Sequence, residues 1–136
     1  MQIPKQLRGN PKIISYDFDF CHLEVYDDYV KAVMSEGITV SPEHNDILLQ
    51  VVNKHFKNKS FVYITHRINS YAVNPTIYLE TAKIENLAGM IVVSNDPQQK
   101  IQTKLEKVFF RKEFRQFDNM EDALEYKNLI LKKNLC

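Results

Sequence analysis

Residues 61–75 read FVYITHRINSYAVNP, a run of β-forming residues followed by a polar loop and an Asn-Pro pair. The nearly continuous apolar run from Phe61 is typical of a strand that is covered on both faces. Asn74 and Pro75 are typical of a helix start, because proline at the first helical position gives up an N–H that the helix does not use. The segment therefore predicts a buried strand, a loop at its carboxyl end and a helix that begins near Asn74.

The sequence on either side repeats this alternation of strand and helix. Upstream, a Ser-Pro pair at 41–42 opens a helix with one apolar face. Downstream, a second apolar strand begins at Ala88, and an Asp-Pro pair at 96–97 opens a helix. A short strand at 114–117 and a helix at 119–132 complete the pattern. In the helix after Pro97, the spacing predicts an inward face made of Ile101, Leu105, Val108 and Phe109.

Before residue 41 the apolar residues recur with a period of two. The runs at 12–20, 22–26 and 29–36 predict a three-stranded antiparallel meander that ends at Gly37. Residues 1–11 contain two prolines and one glycine and are predicted to form a mobile arm. The predicted fold is α/β, a mixed sheet in which the meander is followed by βαβαβα with helices packed on the sheet. Residues 12–136 are expected to form one domain.

Composition and charge exclude several classes of function. The chain has 136 residues, of which 44% are hydrophobic and 26% charged, as in ordinary soluble proteins. Eighteen basic against seventeen acidic residues argue against a nucleic-acid partner. No apolar run approaches the roughly 18 residues of a membrane span, and no secretory signal opens the chain, so a cytoplasmic location is expected. Three glycines are too few for a nucleotide phosphate loop, and no cofactor is expected.

Cysteine and histidine spacing predicts neither a metal site nor a catalytic site. Cys21 and Cys136 form no C-x-x-C motif, and Cys21 is expected to be a core thiol. His44 and His55 lie on one predicted helix, but about three turns and roughly 16 Å separate them. One ion cannot bridge that distance. We therefore expect a protein that is not an enzyme.

The polar loop after the first buried strand carries the candidate functional residues. Ligands of open α/β sheets bind outside the carboxyl ends of strands, and a helix N-terminus offers free N–H donors to an anion. Arg67 would add a bidentate clamp for a phosphate or carboxylate. The same loop also fits an ordinary connection, in which Arg67 is a solvated strand end and Tyr71 covers the core. The candidate ligand- or partner-binding residues are His66, Arg67, Asn69, Ser70, Tyr71, Asn74 and Thr76.

The order of elements, together with FVYITHRINSYAVNP and the later NLAGMIVVSN at 86–95, resembles bacterial STAS-type domains. The resemblance covers about residues 12–131 and extends to the uncharacterised branch grouped with lipid-carrying CRAL-TRIO domains. It implies a serine at a helix start that a partner kinase phosphorylates, as in anti-anti-sigma factors, and Ser70 stands at that position. The usual Asp-Ser-Ser/Ala-Gly motif is changed here, since Asn69 precedes the serine and Tyr71 follows it.

Three functions remain open at this point. The leading hypothesis is a non-enzymatic regulatory or protein-interaction module of STAS type, with its working surface at residues 67–76. The lipid-related branch implies an alternative, a carrier or sensor of a small lipid-like or amphipathic ligand in an apolar pocket. An enzyme that uses His66 or Tyr71 as acid or base has the chemistry but no supporting motif. We expect a protein partner, and a monomer or weak homodimer.

Overall fold

A six-stranded mixed sheet with helices on both faces forms the fold. The computed structural model describes residues 13–69 and 71–134, so the arm predicted at 1–11 lies outside the described residues. In chain order, the elements are β1 (Ile14–Asp17), β2 (Cys21–Val25), β3 (Tyr29–Met34), β4 (Thr39–Val40), α1 (Pro42–His55), β5 (Phe61–His66), β6 (Ala72–Val73), α2 (Ile77–Thr81), β7 (Leu87–Val93), α3 (Pro97–Lys107), β8 (Glu113–Phe117) and α4 (Met120–Asn134).

The sheet has the strand order β1-β2-β3-β5-β7-β8. The first three strands pair antiparallel, whereas β3, β5, β7 and β8 pair parallel. β5 and β7 are central because their apolar runs can be covered on both faces, and Val62, Ile64, Ile91 and Val92 are fully buried. The predicted α/β class and mixed sheet are confirmed.

Two apolar clusters cover the two faces of the sheet. On one face α1 and α2 pack through residues such as Leu48, Val52 and Ile77. On the other face α4 packs through Ala123 and Ile130 against β5 and β7. The apolar face predicted for α1 therefore packs on the sheet, and α4 covers the opposite side.

The orientation predicted for α3 is wrong. Its polar face is turned inward, where the buried residues are Gln99, Thr103 and Glu106. Its apolar face is turned outward, where Ile101, Leu105 and Val108 are 69%, 62% and 76% exposed. Phe109, just past the helix, is the one member of the predicted stripe that packs partly against the core. This orientation places Glu106 against the buried guanidinium of Arg67.

Two boundaries also differ from the prediction. β1 ends at Asp17, so the strand predicted to reach residue 20 is shorter. The helix expected at Asn74 begins only at Ile77. The reason is that Ala72 and Val73 pair in parallel with β4, and the side chain of Asn74 then accepts hydrogen bonds from Thr76 in a turn.

The side chains of Cys21, His44 and His55 have structural roles. Cys21 is a free, buried thiol, as predicted, and burial raises its pKa to about 12. His44 completes a capping box with Ser41 at the start of α1. His55 Nε2 lies 2.7 Å from the hydroxyl oxygen of Tyr16. Within residues 13–69 and 71–134, no group of three or more His, Cys, Asp or Glu side chains is placed to hold a metal ion.

Gly89 allows β8 to approach β7 closely, and this contact is testable. A Cβ atom added at Gly89 would lie 3.0 Å from Cβ and 3.1 Å from the carbonyl oxygen of Glu113, and 3.3 Å from Ile130. We expect Gly89→Ala to lower the free energy of unfolding by about 1–3 kcal/mol, because the backbone of β8 must shift. Urea denaturation measures this change. An unchanged midpoint would contradict the contact.

Candidate functional site

The carboxyl ends of β5 and β7 open onto a polar pocket of about 540 Å³. From the loop after β5 it is lined by His66, Arg67, Ile68 and Asn69, and from the segment after β7 by Ser94, Asn95 and Asp96. Two adjacent parallel strands that end at the same edge create such an opening. Of these residues, the sequence predicted His66, Arg67 and Asn69. It did not predict Ile68 or the Ser-Asn-Asp run at 94–96, although that run follows a predicted buried strand in the same way.

Arg67 turns away from this pocket into the protein. Its backbone N–H donates to the carbonyl of Val93 at 2.9 Å, which fixes the loop at the end of β7. Its guanidinium is fully buried and forms a bidentate ion pair with Glu106 on α3, with Nη1 2.9 Å from Oε2 and Nη2 close to Oε1. Nη1 also donates to Gln99, at 3.3 Å. Among the described residues, Nε lacks a hydrogen-bond partner.

The sequence suggested two roles for Arg67, an anion clamp and a solvated strand end, and neither describes this arrangement. A clamp for an external anion and a solvated strand end both require an accessible guanidinium, and this side chain has no exposed surface. An incoming phosphate would have to displace a carboxylate that is itself buried and also bound by the hydroxyl of Tyr78 at 3.1 Å. The positive charge of Arg67 is therefore used in an internal ion pair with Glu106.

The electrostatics of the buried cluster keep Arg67 charged and the neighbouring tyrosines neutral. Burial opposes the charge on Arg67, but the oxygens of Tyr71, Glu106 and Tyr78 outweigh it and raise the pKa of Arg67 above its ordinary value. Burial raises the pKa of Tyr71 and of Tyr78. The phenol of Tyr71 lies 3.0 Å from the hydroxyl oxygen of Thr65 and its ring packs under the guanidinium. Tyr71 is thus a neutral core residue and unsuited to act as a base.

The other described residues of the loop after β5, His66, Ile68 and Asn69, lie on or near the surface. His66 is half-buried at the end of β5, where burial lowers its pKa and the charge of Lys31 lowers it further. The side-chain amide of Asn69 donates to the carbonyl of Met34 at 2.9 Å and ties the loop to the end of β3. Between these anchored residues, Ile68 is 65% exposed. Ser70 lies outside the described residues, so its predicted phosphorylation stays a prediction.

The structure therefore places the predicted site residues in three separate locations. His66 and Asn69 line the pocket, Arg67 and Tyr71 enter the core, and the exposed Asn74–Thr76 turn lies beyond β6. Participation of these residues in binding stays a prediction. Glu106 and Gln99, which hold the loop through Arg67, were missed because the apolar spacing of α3 placed its opposite face inward.

Two small spaces lie in the core beneath α1 and α2. A cavity of about 20 Å³ lies among Leu23, Leu48 and Phe61, and one of about 10 Å³ lies beside Met34 and Tyr71. Each is no larger than the space of about one water molecule. A lipid would not fit either cavity unless the helices moved away from the sheet.

Within the described chain, no helix has both the length and the apolar content needed to cross a membrane.

Comparison with known proteins identifies the fold. No protein-family model matches the sequence, and no curated protein matches it. Among solved structures, the chain is similar to an uncharacterised protein of the DUF3478 family with a SpoIIAA-like fold from Shewanella loihica PV-4. The TM-score is 0.54 at 16% sequence identity, over 88% of this chain and 99% of that chain. The SpoIIAA-like fold is STAS-like, so the resemblance seen in the sequence is confirmed for the fold.

The buried ion pair predicts a large cost when one partner is removed. Glu106→Gln should lower the free energy of unfolding by about 3–5 kcal/mol, because a buried guanidinium loses its counter-charge. Replacing both partners, as Arg67→Met with Glu106→Leu, should recover most of that loss. The control is Glu80→Gln, which breaks an exposed ion pair with Lys83 and should change stability by less than about 1 kcal/mol. Equal effects of Glu106→Gln and Glu80→Gln in urea denaturation would refute the internal role of the pair.

The pKa of His66 gives a second prediction. Because that pKa lies below the ordinary value of 6.5, the folded state favours the neutral ring, and this contribution to stability is present above pH 6.5 and lost as the pH falls below it. Lys31→Met should raise the pKa of His66 towards 6.5, as followed by NMR titration of the ring. Lys59→Met, at the other end of β5, should leave it unchanged. If both variants titrate like wild type, Lys31 does not act on His66.

Proposed function

We propose that the protein is a non-enzymatic interaction module with a STAS-like fold, and that residues 67–76 form its working surface for a protein partner. The observation that carries this proposal is the exposure of Ile68. This apolar side chain is 65% exposed and lies beside a polar pocket. Exposed apolar anchors surrounded by polar groups are typical of the centres of protein interfaces. The STAS-like fold supplies a rigid sheet edge from which such a loop can act.

The loop is held rigidly on both sides of Ile68. Arg67 is fixed by Glu106 and by the backbone of Val93, and Asn69 is fixed by the backbone of Met34. Further along, the N–H of Ala72 donates to the carbonyl of Ile38 at 2.9 Å. Residues 67–69 and 72, which these contacts hold in place, lose little conformational entropy when a partner binds. This preorganisation supports a role in recognition.

Several features favour binding over catalysis. Tyr71 is buried with a raised pKa, and the guanidinium of Arg67 is buried against Glu106, so neither side chain is free to act on a substrate in the pocket. His66 makes no side-chain hydrogen bond with any described residue, whereas a general acid or base is normally oriented by a neighbour. Ser70 remains our candidate phosphorylation site, because a dianion in the residues next to Ile68 would change the charge of the working surface.

The carrier of an amphipathic ligand has less support. It requires a cavity much larger than the spaces of about 20 and 10 Å³ beneath α1 and α2. Native mass spectrometry of the purified protein separates the two functions, since a carrier retains a bound mass and an interaction module does not.

The working surface is tested by substituting its exposed apolar residue. We expect Ile68→Ser to reduce capture of the partner from an extract of the source cells by at least about fivefold, as for an interface anchor. Quantitative affinity purification measures capture. Leu129→Ser is the matched control, because Leu129 is 59% exposed on α4, away from the loop. Both variants should retain the wild-type melting temperature, and equal capture by both would contradict the proposal.

A further inference from the structure

The polar pocket beside Ile68 is lined by carboxylates from three separate elements. Glu36 comes from the turn after β3, Asp96 from the N-cap of α3, and Asp118 from the turn after β8. All three residues are exposed. Because β3, β5, β7 and β8 run parallel, the turns that follow them meet at one edge of the sheet. The acidic groups therefore converge through the topology of the sheet, although they are distant in sequence.

The two basic residues of the lining do not offset this charge. The guanidinium of Arg67 has no exposed surface and is paired with Glu106, which is itself buried. His66 is neutral at neutral pH, since burial lowers its pKa and the charge of Lys31 lowers it further. Among the described residues that line the pocket, exposed charge is therefore negative.

Contacts within the protein reduce the negative charge but leave most of it in place. The carboxylate of Asp118 lies 2.8 Å from Nζ of Lys100. This hydrogen bond holds the pKa of Asp118 below its ordinary value, so the group is ionised at neutral pH. Oδ1 of Asp96 accepts the N–H of Gln98 at 2.9 Å, and that donor is neutral. One lysine beside three carboxylates leaves the pocket negative.

The apolar side chain of Ile68 belongs to the same lining. Its two neighbours in the chain are held in place, Arg67 by the backbone of Val93 and Asn69 by the backbone of Met34. An apolar contact and a negatively charged pocket are thus presented side by side in a fixed arrangement. Protein interfaces commonly combine an apolar anchor with complementary charges around it.

We propose that this pocket receives a basic segment of the partner protein. A lysine or arginine of the partner lies among Glu36, Asp96 and Asp118, and an adjacent apolar residue packs on Ile68. The proposal rests on the proposed function, because Ile68 belongs to the proposed working surface, and it adds the chemistry of the partner. Apolar contact supplies much of the affinity, and the carboxylates speed association and reject acidic partners.

The same charge disfavours the other occupants. A second copy that met this one through the same pocket would bring carboxylates opposite carboxylates. The phosphates of nucleic acids and of anionic lipid headgroups are repelled in the same way. A free polyamine would match the charge, but it would leave Ile68 uncovered.

The test begins with the selection of binders from a library of random short peptides. We expect wild-type protein to enrich peptides in which lysine or arginine stands next to a large apolar residue. A variant with Glu36→Gln, Asp96→Asn and Asp118→Asn should lose the enrichment of basic residues. Asparagine caps a helix as well as aspartate does, so this pocket variant keeps the start of α3. Sequencing of the selected pools measures the enrichment.

The most enriched peptide is then titrated into 15N-labelled protein. It should shift the amide signals of residues 66–69 and 94–96. The pocket variant and Ile68→Ser should each weaken its binding by about tenfold. The matched control removes three exposed carboxylates elsewhere and should keep the wild-type affinity: Asp27→Asn, Glu80→Gln and Glu85→Gln.

Both triple variants should melt at the wild-type temperature. If the pocket variant melts lower, Glu36→Gln with Asp118→Asn takes its place, because this pair of changes leaves the cap of α3 untouched.

Each of the following results would overturn the proposal: no enrichment, enrichment of acidic or uncharged peptides, equal weakening by the pocket variant and its control, a self-association that the pocket variant abolishes, or tight binding of spermidine that Ile68→Ser does not change. If one of these occurs while Ile68→Ser still loses partner capture, the basic partner is wrong and the proposed function stands. If basic peptides bind through the carboxylates but Ile68→Ser retains full capture, the proposed function fails and the charge preference of the pocket stands.

Discussion

The ion pair between Arg67 and Glu106 is the constraint on which the site depends. The two residues are 39 positions apart, and both side chains are almost completely removed from water. Burial of an ionised group costs several kcal/mol unless a counter-charge and hydrogen bonds compensate. Here Glu106 supplies the counter-charge, and Gln99 and Tyr78 add hydrogen bonds to the pair. Rotating α3 by half a turn would leave a bare guanidinium in the core. The helix therefore keeps its polar face inward.

The same pair organises the loop after β5 and the outward face of α3. On the strand side it anchors Arg67, which leaves Ile68 at the edge of the sheet as an exposed apolar side chain. On the helix side it turns Leu105 and its neighbours towards solvent and opens a groove beside residues 72–75. The buried Arg67–Glu106 pair thus accounts for the exposed apolar residues of the loop and of α3.

Most of the fold could be predicted from local pattern. The doubly covered strands β5 and β7 have uninterrupted apolar runs, and the Ser-Pro start of α1 is unambiguous. His66 and Asn69 could be placed at the pocket because ligands of open α/β sheets bind outside the carboxyl ends of strands. The rotation of α3 could not be predicted, because its apolar and polar faces both have helical spacing and the choice depends on Arg67, which is distant in sequence. The directions of Arg67 and Tyr71 likewise depend on tertiary contacts, and Ile68 carries no chemical signal.

The inverted helix is tested most directly by thiol labelling of α3. In a Cys136→Ser background, where the remaining Cys21 is buried, Leu105→Cys and Thr103→Cys place one thiol on each face. The account predicts that a water-soluble maleimide labels the Leu105→Cys variant at nearly its unfolded rate, and the Thr103→Cys variant at least about a hundredfold more slowly. Fast labelling of Thr103→Cys with protection of Leu105→Cys would show that α3 packs its apolar face inward and would contradict the account.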